Sequence, residues 1–201
     1  MVSFFAIILF SYLIGAIPFS YILPKLFGGI DVRAQGSGNV GATNVLVATG
    51  SKKIAVLSAF LDVVKGFAVV IFAKVVFGAD IYWYLAGLFA IIGHDFPVYL
   101  KFKGGKGVAT TAGVIAAINP FAIWVCLIVY IISIAGTRYL ILSTLITLAI
   151  TPFILFLLGE KGIGFIFGVL FFLPAIFVHR MDIEMLLSGK AKKISEALKS
   201  V

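Results

Sequence analysis

Residues 108–135 read VATTAGVIAAINPFAIWVCLIVYIISIA, and the Asn119-Pro120 pair inside them decides the fold. A bilayer crossing takes about 20 apolar residues. Proline inside a helix removes a backbone donor and collides with the preceding turn, so it kinks or ends the helix. If the stretch is one kinked span, the chain crosses six times and both termini face the same side. If Asn119-Pro120 is a turn, the chain crosses seven times and the termini face opposite sides.

The rest of the chain supports the membrane frame. Of 201 residues, 62% are hydrophobic and 12% charged, against about 25% charged in an ordinary soluble domain. One soluble core of this length cannot hide so much apolar surface. Apolar runs cover residues 2–23, 54–77, 81–92, 108–118, 121–135, 140–158 and 163–178. The third and fourth are shorter than a full crossing, so their ends must lie in protein or a wet cavity. The start of the chain lacks the basic segment of a secretory signal and reads as a retained span. The single cysteine, Cys126, sits in an apolar run and reads as a small buried hydrophobe. The expected fold is therefore all-α, a polytopic membrane protein read as one domain over residues 1–201.

The charge distribution selects between six and seven spans. With seven, one side receives Lys25, Arg33, Lys52, Lys53, Lys101, Lys103, Lys106, Arg138, Arg180, Lys190, Lys192, Lys193 and Lys199. The other side receives Lys74 and Lys161, and Lys65 falls within a span. Cytoplasmic loops carry the excess of basic residues. Seven spans with the N-terminus outside and the C-terminus in the cytoplasm follow. The net charge of +8 comes from patches separated by apolar runs, which points to the membrane rather than to nucleic acid.

Three polar stretches fall on the expected cytoplasmic face. The first, residues 36–44, is GSGNVGATN. It contains a formal G-x-G-x-x-G, but no βαβ pattern surrounds it, so a dinucleotide site is disfavoured. Its glycines allow backbone N–H groups to converge, and Ser37, Asn39, Thr43 and Asn44 add short donors, as in a nest for an anionic oxygen. The alternative is a flexible connecting loop. The second stretch ends in Gly104-Gly105-Lys106-Gly107 and runs into an apolar segment. Helix N-termini attract phosphate, and the alternative is a basic loop on anionic lipid headgroups. His94, ahead of it, suits a helix end or a catalytic role equally. The third stretch, HRMDIEMLLSGK at 179–190, reads as a basic tail unless His179 is used. Asp62 and Lys65, three apart within a span, suit a structural pair or a functional site.

Together these stretches resemble the bacterial glycerol-3-phosphate acyltransferases that use an acyl phosphate as donor. Ser37 to Asn44 matches the family's S-G-N-x-G-A-T-N, and Gly93 to Thr110 matches its G-H-x-[FY]-P-V followed by F-K-G-G-K-G-V-A-T. Leu61 to Gly66 and His179-Arg180 match two shorter motifs, so the resemblance covers nearly the whole chain. It implies seven spans in the bacterial inner membrane and transfer of a fatty acyl group to the sn-1 hydroxyl of glycerol 3-phosphate, giving lysophosphatidic acid for phospholipid synthesis. It also implies roles. Asn39, Thr43, Gly104, Gly105 and Thr144, which replaces the family serine, would hold the donor phosphate. Ser37, Lys106 and His179 would act on glycerol 3-phosphate, with Asp182 beside them. Neither histidine supplies the H-x-x-x-x-D motif of the other large acyltransferase class, so the donor phosphate is expected to assist deprotonation. No metal, cofactor or nucleotide is implied.

Four positions depart from the family pattern: besides Met185 for arginine and Ala191 for glutamate after the last span, two bear most on the acceptor. Val47 stands where the family has arginine, and Asp182 where it has asparagine. Losing one positive charge and gaining one negative should weaken binding of an acceptor phosphate. A changed acceptor or lost activity is thus the alternative within the fold. Transport is the alternative outside it, disfavoured because the polar features gather on one face rather than near the midplane of both halves.

Overall fold

The structure, a computed structural model, describes residues 2–191, 193 and 194. Lys192 and Lys199 of the basic tail lie outside these. The described residues are all-helical, without a strand. They pack as two compact units, Met1–Ile118 and Asn119–Val201.

The first unit contains α1 (Val2–Gly15), α2 (Phe19–Gly28), α3 (Ala42–Thr49), α4 (Lys52–Phe77), α5 (Asp80–Asp95) and α6 (Val108–Ile118), with 3₁₀ turns at Val32–Ala34 and Val98–Leu100. The second contains α7 (Pro120–Thr137), α8 (Leu140–Leu157), α9 (Ile163–Val178) and α10 (Arg180–Leu187). Asn119-Pro120 does break the chain. Asn119 takes an extended conformation, and its side-chain oxygen accepts from the amides of Phe121 and Ala122 at 3.0 and 3.2 Å. Pro120 fills the first helical position, where its missing N–H costs nothing.

Among the described residues, five segments are long and apolar enough to cross a bilayer: Val2–Gly28, Lys52–Phe77, Asp80–Leu100, Pro120–Thr137 and Leu140–Leu157. A sixth arises if α9 and α10, bent by 69°, are one broken span, and α6 is a shorter apolar helix. The third segment corrects the sequence reading. It was expected to stop at 92, but it reaches Leu100 because Gly93, His94 and Asp95 continue the helix and turn inward. Their polarity suggested a loop, yet His94 and Asp95 are buried. The first segment is also not one regular helix. It breaks between Gly15 and Phe19, at Pro18.

Outward faces carry apolar side chains, with Val75 and Leu157 both 81% exposed. Lipid is the solvent that tolerates them. Inside the first unit, backbones approach closely. A Cβ on Gly66 would strike the Thr110 carbonyl oxygen, and one on Gly113 the Val63 carbonyl oxygen. The pair Gly15 and Gly93 brings α1 against α5 in the same way. Without a hydrophobic drive between helices in lipid, such small-residue contacts supply the packing.

Polar groups complete the core. Lys65 Nζ lies 2.7 Å from Asp62 Oδ1 and donates at 2.8 Å to the Ile17 carbonyl at the break around Pro18, which also accepts the Phe19 amide at 3.2 Å. Ser20 Oγ donates to Asp62 Oδ2 at 2.9 Å, and His94 Nδ1 lies 3.5 Å from Oδ1. In the second unit α7 and α8 join through hydroxyls and a thiol. Thr137 and Ser143 Oγ atoms are 3.1 Å apart, and Cys126 Sγ is 3.6 Å from Thr151 Oγ1.

Removing one partner of a buried pair leaves a charge uncompensated, at about 3 kcal/mol or more. Lys65→Met should therefore lower the unfolding midpoint in detergent sharply. Lys65→Met combined with Asp62→Leu should recover much of the loss. Equal losses in the single and double variants would contradict the pairing.

Candidate active site

The first polar loop is organised by one buried amide. Asn44 Nδ2 donates to the carbonyls of Val32 and Gln35 at 2.8 and 3.2 Å, and its Oδ1 accepts from the Ser37 amide at 2.9 Å. Gly36 adopts φ 58° and leaves no room for a Cβ, which would overlap Asn44 Oδ1. Asn44 was expected as a donor to an anion. Its amide is instead engaged inside the loop, so it staples rather than binds. Asn39 donates its backbone N–H to Ser37 Oγ at 3.4 Å. Asp31 fastens the approach to the loop, accepting from the Arg33 guanidinium at 2.9 and 2.7 Å. The Arg33 side-chain and backbone hydrogen bonds hold the Asp31 carboxyl down at about 2. The loop ends at Gly41, where α3 begins without a side-chain cap and with Thr43 exposed in its first turn.

The second loop meets the first at Gly105. The Gly104 amide donates to the Asp95 carbonyl at 3.2 Å, and the Gly105 amide to the His94 carbonyl at 3.1 Å. These two amides were expected to face a phosphate, and they are engaged within the fold. The bonds carry the chain past Lys106, which is half-buried, and Gly107 at φ 68° into α6. In the first turn of α6 the amides of Val108, Ala109 and Thr110 lack intrahelical acceptors. Gly105 is also where the two loops meet. A Cβ there would overlap His94 Nε2 and come within 2.7 Å of the Val40 carbonyl oxygen. Helices α3 and α6 thus start from one backbone junction, each with its positive end near the loops.

The second unit carries the remaining expected residues. Thr144 Oγ1 donates to the Leu140 carbonyl at 3.0 Å, so its hydrogen serves the first turn of α8. His179 joins α9 to α10, and its Nδ1 lies 2.9 Å from Asp182 Oδ2. Both side chains are buried. Val47, on α3 in the first unit, is exposed.

The glycerol-3-phosphate acyltransferase family profile matches residues 5–189. The chain belongs to that family. A glycerol-3-phosphate acyltransferase of Rhodopseudomonas palustris (strain HaA2) is 44% identical over 194 residues, covering 96% of each chain. One from Clostridioides difficile (strain 630) is 37% identical over 199 residues, covering 96% of this chain and 97% of the relative. The crystal structure of PlsY, an integral membrane glycerol 3-phosphate acyltransferase, superposes in its glycerol 3-phosphate form with a TM-score of 0.88, at 36% identity and 96% coverage of each chain. Its lysophosphatidic acid form gives 0.87 at the same identity. The chain is an integral membrane acyltransferase.

Sequence reasoning overlooked Ser20 and Asp95. Nothing in the sequence marks Ser20, one of several hydroxyl-bearing residues in the first apolar run. Asp95 had a signal, an acid beside His94 in an apolar context. Its buried carboxylate has no hydrogen-bond partner among the described residues, and a Cβ on Gly107 would sit 2.7 Å from Oδ1.

Gly105→Ala should leave a folded protein with acyl-transfer activity down by about 100-fold, the cost of a displacement near 1 Å at a reacting site. Turnover of the purified variant checks this. Wild-type turnover would show that the loop junction tolerates rearrangement.

Proposed function

We propose that this acyltransferase moves a fatty acyl group from acyl phosphate to the sn-1 hydroxyl of glycerol 3-phosphate, releasing phosphate and lysophosphatidic acid. The acceptor and product follow the solved relative, whose two forms hold glycerol 3-phosphate and lysophosphatidic acid. The observation that carries the donor is the junction at Val40 and Gly105, from which α3, without a side-chain cap, and α6 both start beside Lys106. A donor ending in phosphate suits such a cradle.

In this reading Asn39, Thr43, the Gly104-Gly105 segment and Thr144 serve the donor phosphate. The contribution of Gly104 and Gly105 is to shape the loop, since their amides already have acceptors. Ser37, Lys106 and His179 act on glycerol 3-phosphate. Charge stabilisation by Lys106 and the helix amides lowers the barrier as the acyl carbonyl oxygen becomes negative. Seven spans, with the polar loops and C-terminus in the cytoplasm, present these residues to a water-soluble acceptor while the acyl chain stays in the apolar body. The charge count across the loops supports that orientation.

Purified protein supplied with glycerol 3-phosphate and either acyl phosphate or acyl-coenzyme A separates the donors by mass spectrometry. Acyl phosphate should give lysophosphatidic acid, with Lys106→Ala at least about 100-fold slower. Product from the thioester alone would overturn the donor assignment.

A further inference from the structure

Asp95 closes α5 and plays no part in the roles assigned above to donor and acceptor. It is 3% exposed, and neither carboxylate oxygen has a hydrogen-bond partner among the described residues. Its place is specific. A Cβ on Gly107 would sit 2.7 Å from Oδ1 and 3.4 Å from Oδ2, so the carboxyl lies against the residue that leads into α6. Gly107 takes φ 68°, and its lack of a side chain leaves that position to Asp95. Thr110 Oγ1, in the first turn of α6, is also buried and without a partner. Unmet polar capacity therefore gathers where the helix begins.

The ionisable groups nearby are occupied elsewhere. On α4, Lys65 is the charged group whose field reaches Asp95, and that ammonium is held by Asp62 and the Ile17 carbonyl. His94 precedes Asp95 on α5 and turns its Nδ1 toward Asp62. Tyr12 on α1 commits its hydroxyl to the Phe96 carbonyl. Lys106 precedes Gly107 in the second loop, and α6 carries no ionisable residue. The start of α6 offers N–H groups and a positive end, so it attracts an anion. A donor phosphate there would lie within one helical turn of the Asp95 carboxyl, about 5 Å. Two anionic groups that close do not both stay fully ionised, and paired carboxylates solve the conflict by holding one proton between them.

We propose that Asp95 is a donor-binding residue that shares one proton with the phosphate of the acyl phosphate at the start of α6. The proposal rests on the donor reading given above. With one proton between them, carboxyl and phosphate together carry the charge of a phosphate dianion alone. Lys106 and the opening amides of α6 then face no added negative charge. The shared hydrogen also orients the phosphate, because it fixes which of its oxygens turns toward α5. A purely structural Asp95 would cap α6 by accepting from its first amides, and no such bond is formed.

Calorimetric binding of a non-hydrolysable acyl phosphonate across pH tests this, with purified wild type, Asp95→Asn and Asp95→Leu. Asparagine donates a hydrogen bond without taking a proton from the medium, so its Kd sets the baseline. The titration of the phosphonate itself is common to both proteins and cancels in their ratio. The ratio of wild-type to Asp95→Asn Kd should rise with pH, by up to about tenfold per pH unit, the mark of one linked proton. A ratio that stays constant with pH would overturn the shared proton. Asp95→Leu can donate nothing and should bind at least about 10-fold more weakly than Asp95→Asn. Equal binding by these two variants would place Asp95 away from the phosphate and reject the proposal. If the leucine variant does not fold, the pH dependence of the ratio decides alone. If the phosphonate does not bind wild-type protein, the donor reading fails and this proposal with it, whereas a constant ratio removes only the role of Asp95.

Discussion

A carboxylate buried in a helical body within lipid has to be paired, and Asp62 is paired from three elements. Lys65 on its own helix, Ser20 on α2 and His94 on α5 converge on it. Lys65 also reaches the Ile17 carbonyl at the break around Pro18. Were Asp62 apolar, α2 would lose its polar tie to α4, and His94 would lose the acid near its Nδ1. His94 in turn receives the Gly105 amide through its carbonyl and crowds Gly105 with its ring. A structural charge cluster therefore sets the height and angle of the loop that carries Lys106.

Above that cluster the polar loops divide their labour. Amides that look available in sequence are engaged: Ser37 by Asn44, Gly104 by Asp95 and Gly105 by His94. Those internal bonds make the loops rigid. The unengaged donors lie just downstream, in the opening turns of α3 and α6. Glycine serves here mainly by letting backbones approach, as at Gly105, and the anion-attracting ends are those of the helices.

Much of this was legible in the sequence. The places of the helices follow from long apolar runs, and the break at Asn119-Pro120 follows from proline chemistry and an Asx cap. The Asp62–Lys65 pair follows from helical spacing. Asn44 was identified as polar and loop-borne, but whether its amide faces outward or staples the loop depends on the path of residues 32–37. Long-range contacts such as Ser20 with Asp62 and Lys65 with Ile17 leave no local trace. Asp182 shows the limit most clearly. Its charge was readable, whereas the turn that aims it at His179 was not.

On the proposed roles, the donor side keeps the family's residue types, while Val47 and Asp182 stand on the acceptor side where the family pattern has arginine and asparagine, and Asp182 Oδ2 lies 2.9 Å from His179 Nδ1. The central claim is that the donor phosphate rests on the start of α6 and not on the amides of the glycines before it. The structure of the protein with a non-hydrolysable acyl phosphonate tests this most directly. The account predicts phosphonate oxygens at the amides of residues 108–110, with Gly104 and Gly105 still bonded to Asp95 and His94. A phosphonate held by the Gly104 and Gly105 amides, or bound away from α6, would contradict it.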